Sequence, residues 1–219
     1  MDEFTKQMEK WREGFGKEYT DRNALSLNEM ENFYKEHYGY TRTEMNSEFI
    51  GDFDKDMKIL EVGSNVGNQL LCLQGMGFNN LYGIELQGYA VELSKSRTKR
   101  INIIEGSAFD VPYKDSYFDL VFTSGVLIHI NPSDISMAVE EIYRCAKNYI
   151  WGFEYHADKY TEILYRGHKD LLWKTDFAKL YCEQFSDLQL VQEKRFKCID
   201  NDNVDSMFML KKRSVKNDQ

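Results

Sequence analysis

The stretch MKILEVGSNVG at residues 57–67, with LYGIEL at residues 81–86 close behind it, decides how this chain is read. A short apolar strand carrying Ile59, Leu60 and Val62 runs into the small residues Gly63, Ser64, Asn65 and Gly67, and the amphipathic run NQLLCLQGM follows. Strand, tight turn and helix make the opening half of a nucleotide-binding βαβ unit. Glycine in such a turn lets backbone come close to a ligand, because no Cβ stands in the way. The second strand, 80–86, carries Glu85 near its end, eighteen residues after Gly67. A carboxylate in that place can grip both hydroxyls of a ribose. The pattern therefore predicts an adenosine-containing ligand.

Glycine spacing narrows the choice. A dinucleotide fingerprint needs glycine at its first, third and sixth positions, which here hold Gly63, Asn65 and Asn68, so two of the three fail. Read as acid-x-Gly-x-Gly-x-Gly, the same segment supplies Glu61, Gly63, Asn65 and Gly67 with one substitution. Asparagine is the residue that best replaces glycine in the left-handed region. This second pattern resembles motif I of the class I S-adenosylmethionine-dependent methyltransferases. The resemblance implies S-adenosyl-L-methionine as cofactor, with Glu61, Gly63, Asn65 and Gly67 around its methionine end and Glu85 and Leu86 at its ribose.

At 219 residues the chain reads as one α/β unit over 53–219 preceded by a helical extension or lid over 1–52. No linker, repeat or low-complexity stretch divides it, and it holds only two prolines. A net charge of −8, with acidic and basic residues interspersed, argues against a nucleic-acid-binding surface. The basic run KSRTKR at 95–100 reads as a solvated helix end. Cys72, Cys145, Cys182 and Cys198 form no C-x-x-C pair and read as small apolar residues of a reducing compartment. The start, MDEFTKQMEK, lacks an apolar leader, and no segment approaches the ~18 apolar residues of a membrane span. A cytoplasmic protein that makes no use of a membrane is the expectation. Its oligomeric state stays open.

Residues 3–50 read as mainly helical, with Phe4, Met8 and Trp11 and then Met30, Phe33, Tyr34 and Tyr38 at helical spacing, separated by an expected loop, GFGKEYTDRN, at 14–23. Strands are expected at 58–62, 81–86, 101–105, 118–124 and 148–153, alternating with helices at 68–76, 90–99 and 135–146. A last helix at 175–184 and two strand-like runs at 189–197 and 205–212 follow. Continuously apolar strands alternating with helices make a buried parallel sheet. The closing strand pair without a helix between reads as an antiparallel hairpin at its edge. The whole is a Rossmann-like, mostly parallel seven-stranded sheet, and the hairpin ending is one that the class I methyltransferase fold has by resemblance.

Ligands of open α/β sheets bind outside the carboxyl ends of the strands, which gathers four tips around one cavity. Beyond the two already named, EGSAFDVPY resembles the G-(D/S)-A-x-x-(L/V)-P-(F/Y) stretch of such methyltransferases, which implies Ser107, Ala108 and Phe109 beside the adenine. The fourth tip, FTSGVLIHINP, sets Ser124 and Gly125 where the methionine moiety would pass and His129 where an acceptor could approach. Asp119 reads as structuring the entry to its strand. The bases available to an acceptor are His129, His168 and Glu154, in that order. His37, His129, His156 and His168 fall in no metal-ligand spacing, so no metal is implied.

Two further segments read as acceptor-binding: WREGFGKEYTDRN at 11–23 and EYHADKYTEILYRGHKDLLWKTDFA at 154–178. They bring Tyr19, Arg22, Asn23, Tyr155, Tyr165, Arg166 and Lys174. W-x-x-x-F-G-x-x-Y-x-x-R-N, V-L-I-H-I-N-P and Y-R-G-H-K-x-x-L-x-K-x-D-F-A together resemble the pseudaminic-acid-biosynthesis-associated methylases over nearly the whole chain. The resemblance implies methyl transfer to an O or N atom of a small anionic acceptor, a nonulosonic acid or nucleotide-linked sugar of bacterial surface-glycan synthesis, for which Arg22, Arg166 and Lys174 would serve. Two other readings stay open: a degenerate cofactor-fold module that binds without transferring methyl, and an NAD-dependent sugar-modifying enzyme.

Overall fold

The strand at Lys58–Val62 is buried on both faces, with Leu60 and Val62 in one core and Ile59 in the other. This two-sided burial is what a central strand of a helix-covered sheet requires. The computed structural model describes residues 6–213; Phe4, expected on the first helix, lies outside that range. Four helices come first: α1 (Lys6–Arg12), α2 (Gly14–Asn23), α3 (Leu27–Tyr38) and α4 (Arg42–Ile50). The sheet units follow as β1 (Lys58–Val62), α5 (Asn68–Gly75), β2 (Asn80–Glu85), α6 (Gly88–Arg97), β3 (Asn102–Glu105), β4 (Phe118–Ser124), α7 (Ile135–Cys145) and β5 (Ala146–Tyr155). A two-stranded ribbon, β6 (Thr161–Glu162) with β7 (Trp173–Lys174), precedes α8 (Phe177–Gln184), β8 (Leu188–Lys197) and β9 (Val204–Lys212).

The sheet order is β3-β2-β1-β4-β5-β9-β8, parallel through β5, with β9 antiparallel to β5 and β8 antiparallel to β9. The order reverses between β1 and β4, which opens a crevice at their carboxyl ends. Helices α7 and α8 cover one face, with Val139, Ile142 and Tyr181 against Val121 and Phe208. On the other face α4 and α5 bring Met45, Phe49, Leu70 and Leu73 against Ile59, Phe122 and Trp151. At the far end of the strands Asp119 accepts a hydrogen bond from the Lys58 N–H at 2.9 Å and joins the entries of β1 and β4.

Both α3 and α4 begin with a capping box, Ser26 with Glu29 and Thr41 with Glu44, which satisfies N–H groups that a helix start leaves open. Residues 14–23 form α2, not the expected loop. Two glycines make that run a poor helix by propensity, and tertiary contacts override it. Gly16 packs so tightly on α1 that a Cβ there would stand 1.8 Å from the Trp11 carbonyl oxygen. Buried Thr20 donates to the Gln87 side chain at 2.8 Å. In the basic run at 95–100, Lys95, Lys99 and Arg100 are exposed as a solvated helix end requires, but Arg97 donates to the Ala24 carbonyl (3.2 Å), the Leu25 carbonyl and Asn68 Oδ1 (3.0 Å). It ties the α2–α3 link to the sheet. Among the described residues no helix is long and apolar enough to cross a membrane.

Candidate functional site

Loops at the carboxyl ends of β1, β2 and β4, roofed by α1 and α2, enclose a cavity of about 370 Å³, a size typical of small-molecule sites. Glu61, Gly63, Asn65, Glu85, Leu86, Ser107, Ala108, Phe109, Ser124, Gly125 and His129 line it, as do Tyr19, Arg22 and Asn23 from the roof. Asn65 adopts φ +46°, the left-handed conformation its place in the glycine pattern demands. Gly67 is the exception among the motif residues. It starts α5 beneath Ile103 and Thr98 and does not line the cavity, so its role is the turn.

Glu85 stands at the tip of β2, where its two carboxylate oxygens accept the backbone N–H of Asn65 (2.8 Å) and of Gln87 (2.9 Å). Burial pushes its carboxyl above the usual range while these N–H groups pull it back. Each oxygen keeps a lone pair, so the pair can receive a diol. The fit to a nucleoside bearing an amino acid rests on two more features. Glu61 Oε2, Asn65 Oδ1 and Gln69 Oε1 are buried acceptors without a partner that border the same cavity. A Cβ on Gly125 would meet nothing within 4 Å, so the β4 tip leaves room for a ligand to pass against backbone.

His129 sits on the 3-10 turn Leu127–His129 just after β4. Its Nδ1 lies 2.7 Å from the Leu171 carbonyl oxygen. A carbonyl only accepts, so Nδ1 carries the proton and Nε2 keeps its lone pair. Burial holds the ring's pKa down to about 4, against the pull of that carbonyl. Trp11 packs on the ring at 4.6 Å, and Tyr165 lies 5.4 Å from it. The Gln7 side chain clips α1 to this turn, donating to the His129 carbonyl and accepting the Asn131 N–H at 2.9 Å.

The remaining expected residues lie outside the cavity lining. Glu154 is buried and its carboxylate accepts the Val126 N–H (3.2 Å) and Ile128 N–H (3.4 Å), so it holds the His129 turn instead of serving as a base. The peculiar YRGH run is a two-residue hairpin turn. Tyr165 and His168 exchange backbone hydrogen bonds of 2.9 Å, with Arg166 at φ +51° and Gly167 at φ +81°. Arg166 and His168 are exposed on that turn, and His168 meets Phe15 of α2 edge-on at 5.7 Å. Lys174 is taken up by Asn203 and lies 5.3 Å from the Tyr155 ring. The carboxylates and ring of His156, Asp176 and Glu193 offer ligand atoms within 4.8 Å of one another. Arg195 donates to His156 Nε2, which puts the ring proton on Nδ1 and leaves no lone pair there for a metal. Reading the sequence missed Gln7, Tyr34 and Gln69, which all line the cavity, whereas Gln87, two residues beyond Glu85, lines it as part of the expected β2 tip.

Residues 60–149 match the family described as Methyltransferase domain. An uncharacterised protein of Haemophilus influenzae is 24% identical over 103 residues, 44% of this chain and 41% of that protein, so the chain spans about two-fifths of the length of the curated relative it matches. Solved structures share the fold at low identity. A Pyrococcus horikoshii protein is 14% identical with a TM-score of 0.68, over 90% of this chain and 99% of that one. The Burkholderia thailandensis 1,6-didemethyltoxoflavin-N1-methyltransferase, solved with S-adenosylhomocysteine, is 12% identical with a TM-score of 0.62, over 78% and 76%. A putative S-adenosylmethionine-dependent methyltransferase of Listeria monocytogenes is 12% identical with a TM-score of 0.61, over 78% and 97%. Residues 60–149 thus match a methyltransferase domain, and the chain, with a seven-stranded sheet in this order and a cavity at its β1–β4 crevice, shares the Rossmann-like fold of these solved methyltransferases.

Proposed function

We propose that the chain transfers a methyl group from S-adenosylmethionine to an oxygen or nitrogen of a small anionic acceptor, of the kind a nonulosonic acid or nucleotide-linked sugar represents. The observation that carries this reading is the cavity that joins Glu85 at the β2 tip to His129 beyond β4 and Arg22 on the roof helix α2. When bound, the cofactor supplies an electrophilic methyl on a sulfonium. Glu85 holds the ribose, Ser107, Ala108 and Phe109 border the adenine, and Ser124 and Gly125 line the path toward His129. Alignment by such walls supplies much of the rate enhancement in a displacement of this type. For a hydroxyl acceptor, the proton would become strongly acidic as the oxygen takes the methyl, so the weakly basic Nε2 of His129 would suffice to receive it. The roof of α1 and α2 keeps water out.

Arg22 is the one expected acceptor cation that lines the cavity, and it is half-exposed beside Glu18 at 3.8 Å. It offers a planar fork to an acidic group. A flat, uncharged acceptor is the second reading, favoured by Trp11, Tyr19, Phe33 and Phe109 in the same lining. Labelled methyl transfer to a panel of acidic and neutral sugars and heterocycles tests the pair. Arg22→Ala is expected to raise KM for acidic acceptors by about tenfold, with S-adenosylhomocysteine affinity within twofold. Equal turnover of acidic acceptors by both proteins favours the uncharged one.

Cofactor choice has its own check. Ligands that bind the native state alone raise apparent stability by RT ln(1 + [L]/Kd). Thermal melts should rise with S-adenosylmethionine or S-adenosylhomocysteine and stay put with NAD(H). The reverse pattern would return the chain to the NAD-dependent reading.

A further inference from the structure

The N-terminal helices contribute more than a roof. Arg42 on α4 is wholly buried, and its charge bears on the buried Glu61 carboxyl of the cavity, which it pulls down against the upward push of burial. Its guanidinium rests 5.0 Å from the Tyr34 ring and 4.6 Å from the Phe153 ring. One N–H group donates to Asn46 Oδ1 at 2.8 Å and another to the Tyr34 hydroxyl at 3.2 Å. Gln69 Nε2 donates to that same hydroxyl, also at 3.2 Å. A phenol oxygen that accepts twice has its lone pairs in use and can only donate. Tyr34 lines the cavity, so its O–H is a fixed donor presented there, polarised by a buried cation behind it.

Close by in the lining are three acceptors that nothing satisfies: Glu61 Oε2, Asn65 Oδ1 and Gln69 Oε1. Buried acceptors without partners are costly and mark a place for a donor. A polarised donor beside clustered acceptors is complementary to a carboxylate and an ammonium on one carbon. We propose that Tyr34, held by Arg42 and Gln69, receives the carboxylate of the cofactor's amino-acid end, and that Glu61, Asn65 and Gln69 receive its ammonium. This rests on the methyltransferase reading and assigns α3 and α4 a part in cofactor selection. Arg42, with no surface of its own, is a positioning residue that acts through the Tyr34 hydroxyl.

Calorimetry with two probes tests the assignment. S-adenosylhomocysteine carries the amino acid, and 5′-methylthioadenosine has the same adenosine and thioether without it. Tyr34→Phe keeps the ring that Arg42 and Tyr38 pack on and removes only the donor. It should weaken S-adenosylhomocysteine about tenfold or more, as loss of a charge-assisted bond does, and leave 5′-methylthioadenosine within twofold. Gln69→Leu, which removes both the donor that holds the Tyr34 hydroxyl and an acceptor for the ammonium, should do the same and covers a failure of the first variant to fold. Arg42→Lys should shift the ratio of the two affinities in the same direction, whereas a merely structural role would lower both together. Unchanged S-adenosylhomocysteine affinity with a raised acceptor KM would give the subsite to the acceptor and overturn the proposal, and so would equal weakening of both probes. Wild-type protein that binds neither probe overturns the methyltransferase reading itself.

Discussion

Replacing Glu85 by alanine is expected to weaken S-adenosylhomocysteine binding by about 2–3 kcal/mol, roughly 30- to 150-fold. The carboxylate lines the cavity and already accepts the N–H of Asn65 and of Gln87, one on each oxygen. Those bonds fix its plane before any ligand arrives, so little ordering entropy remains to be lost on binding. Two ribose hydroxyls donating to an ionised carboxylate make charge-assisted bonds, which are about twice as strong as neutral ones. The substitution also frees the N–H of Asn65, the residue at φ +46°, so the turn after β1 should loosen along with the ribose grip. Calorimetry on a folded variant decides it. Affinity within twofold of wild type would mean that the adenosine lies elsewhere in the cavity.

The part of the cavity lining that comes from the strand tips was legible because its residues lie at fixed offsets from strand ends. A strand of period two declares where it stops, and the residues just past β1, β2 and β4 then fall around the crevice whatever the packing elsewhere. Of the roof, α2 was not legible as a helix, since it is held by Gly16 packed on Trp11 of the helix before it and by Thr20 on Gln87, a residue far along the chain. YRGH misled for the opposite reason. Its mixture of chemistries suggested a binding loop, whereas Arg166 and Gly167 both take positive φ to close a tight hairpin that leaves Arg166 and His168 exposed and Tyr165 packed inward. Tyr34 was hidden in plain pattern. Met30, Phe33, Tyr34 and Tyr38 read as an apolar helical face, and only the arrival of Arg42 and Gln69 at one hydroxyl turns it into a polar contact. Arg97 was likewise invisible, because its partners are backbone carbonyls, which carry no sequence signature.

Glu154→Gln is expected to flatten the dependence of stability on pH. The Glu154 carboxyl is buried beneath the His129 turn, and burial pushes it up from its ordinary 4.5 to about 7, against donors at Thr123, Val126, Leu127 and Ile128. A folded-state pKa above the unfolded one means that the native protein binds the proton more tightly. The resulting stability is fully present below about pH 4.5 and is lost as pH rises through 7. A shift of that size corresponds to about 3 kcal/mol. Asp205, pushed up to about 6, slopes the same way, and His129, held down to about 4, slopes oppositely, but both are common to the two proteins and cancel in their difference. Urea unfolding at pH 5 and pH 8 should therefore show wild type losing about 3 kcal/mol relative to the glutamine variant. Parallel profiles would mean that Glu154 stays ionised throughout, sheltered by its four donors. The same substitution separates two sources of pH-dependent turnover. His129 is neutral across this range, so a limb of activity near pH 7 belongs to Glu154 tightening its hold on the Val126 and Ile128 N–H groups as it ionises. In Glu154→Gln that limb is expected to disappear while His129 keeps its tautomer on Leu171.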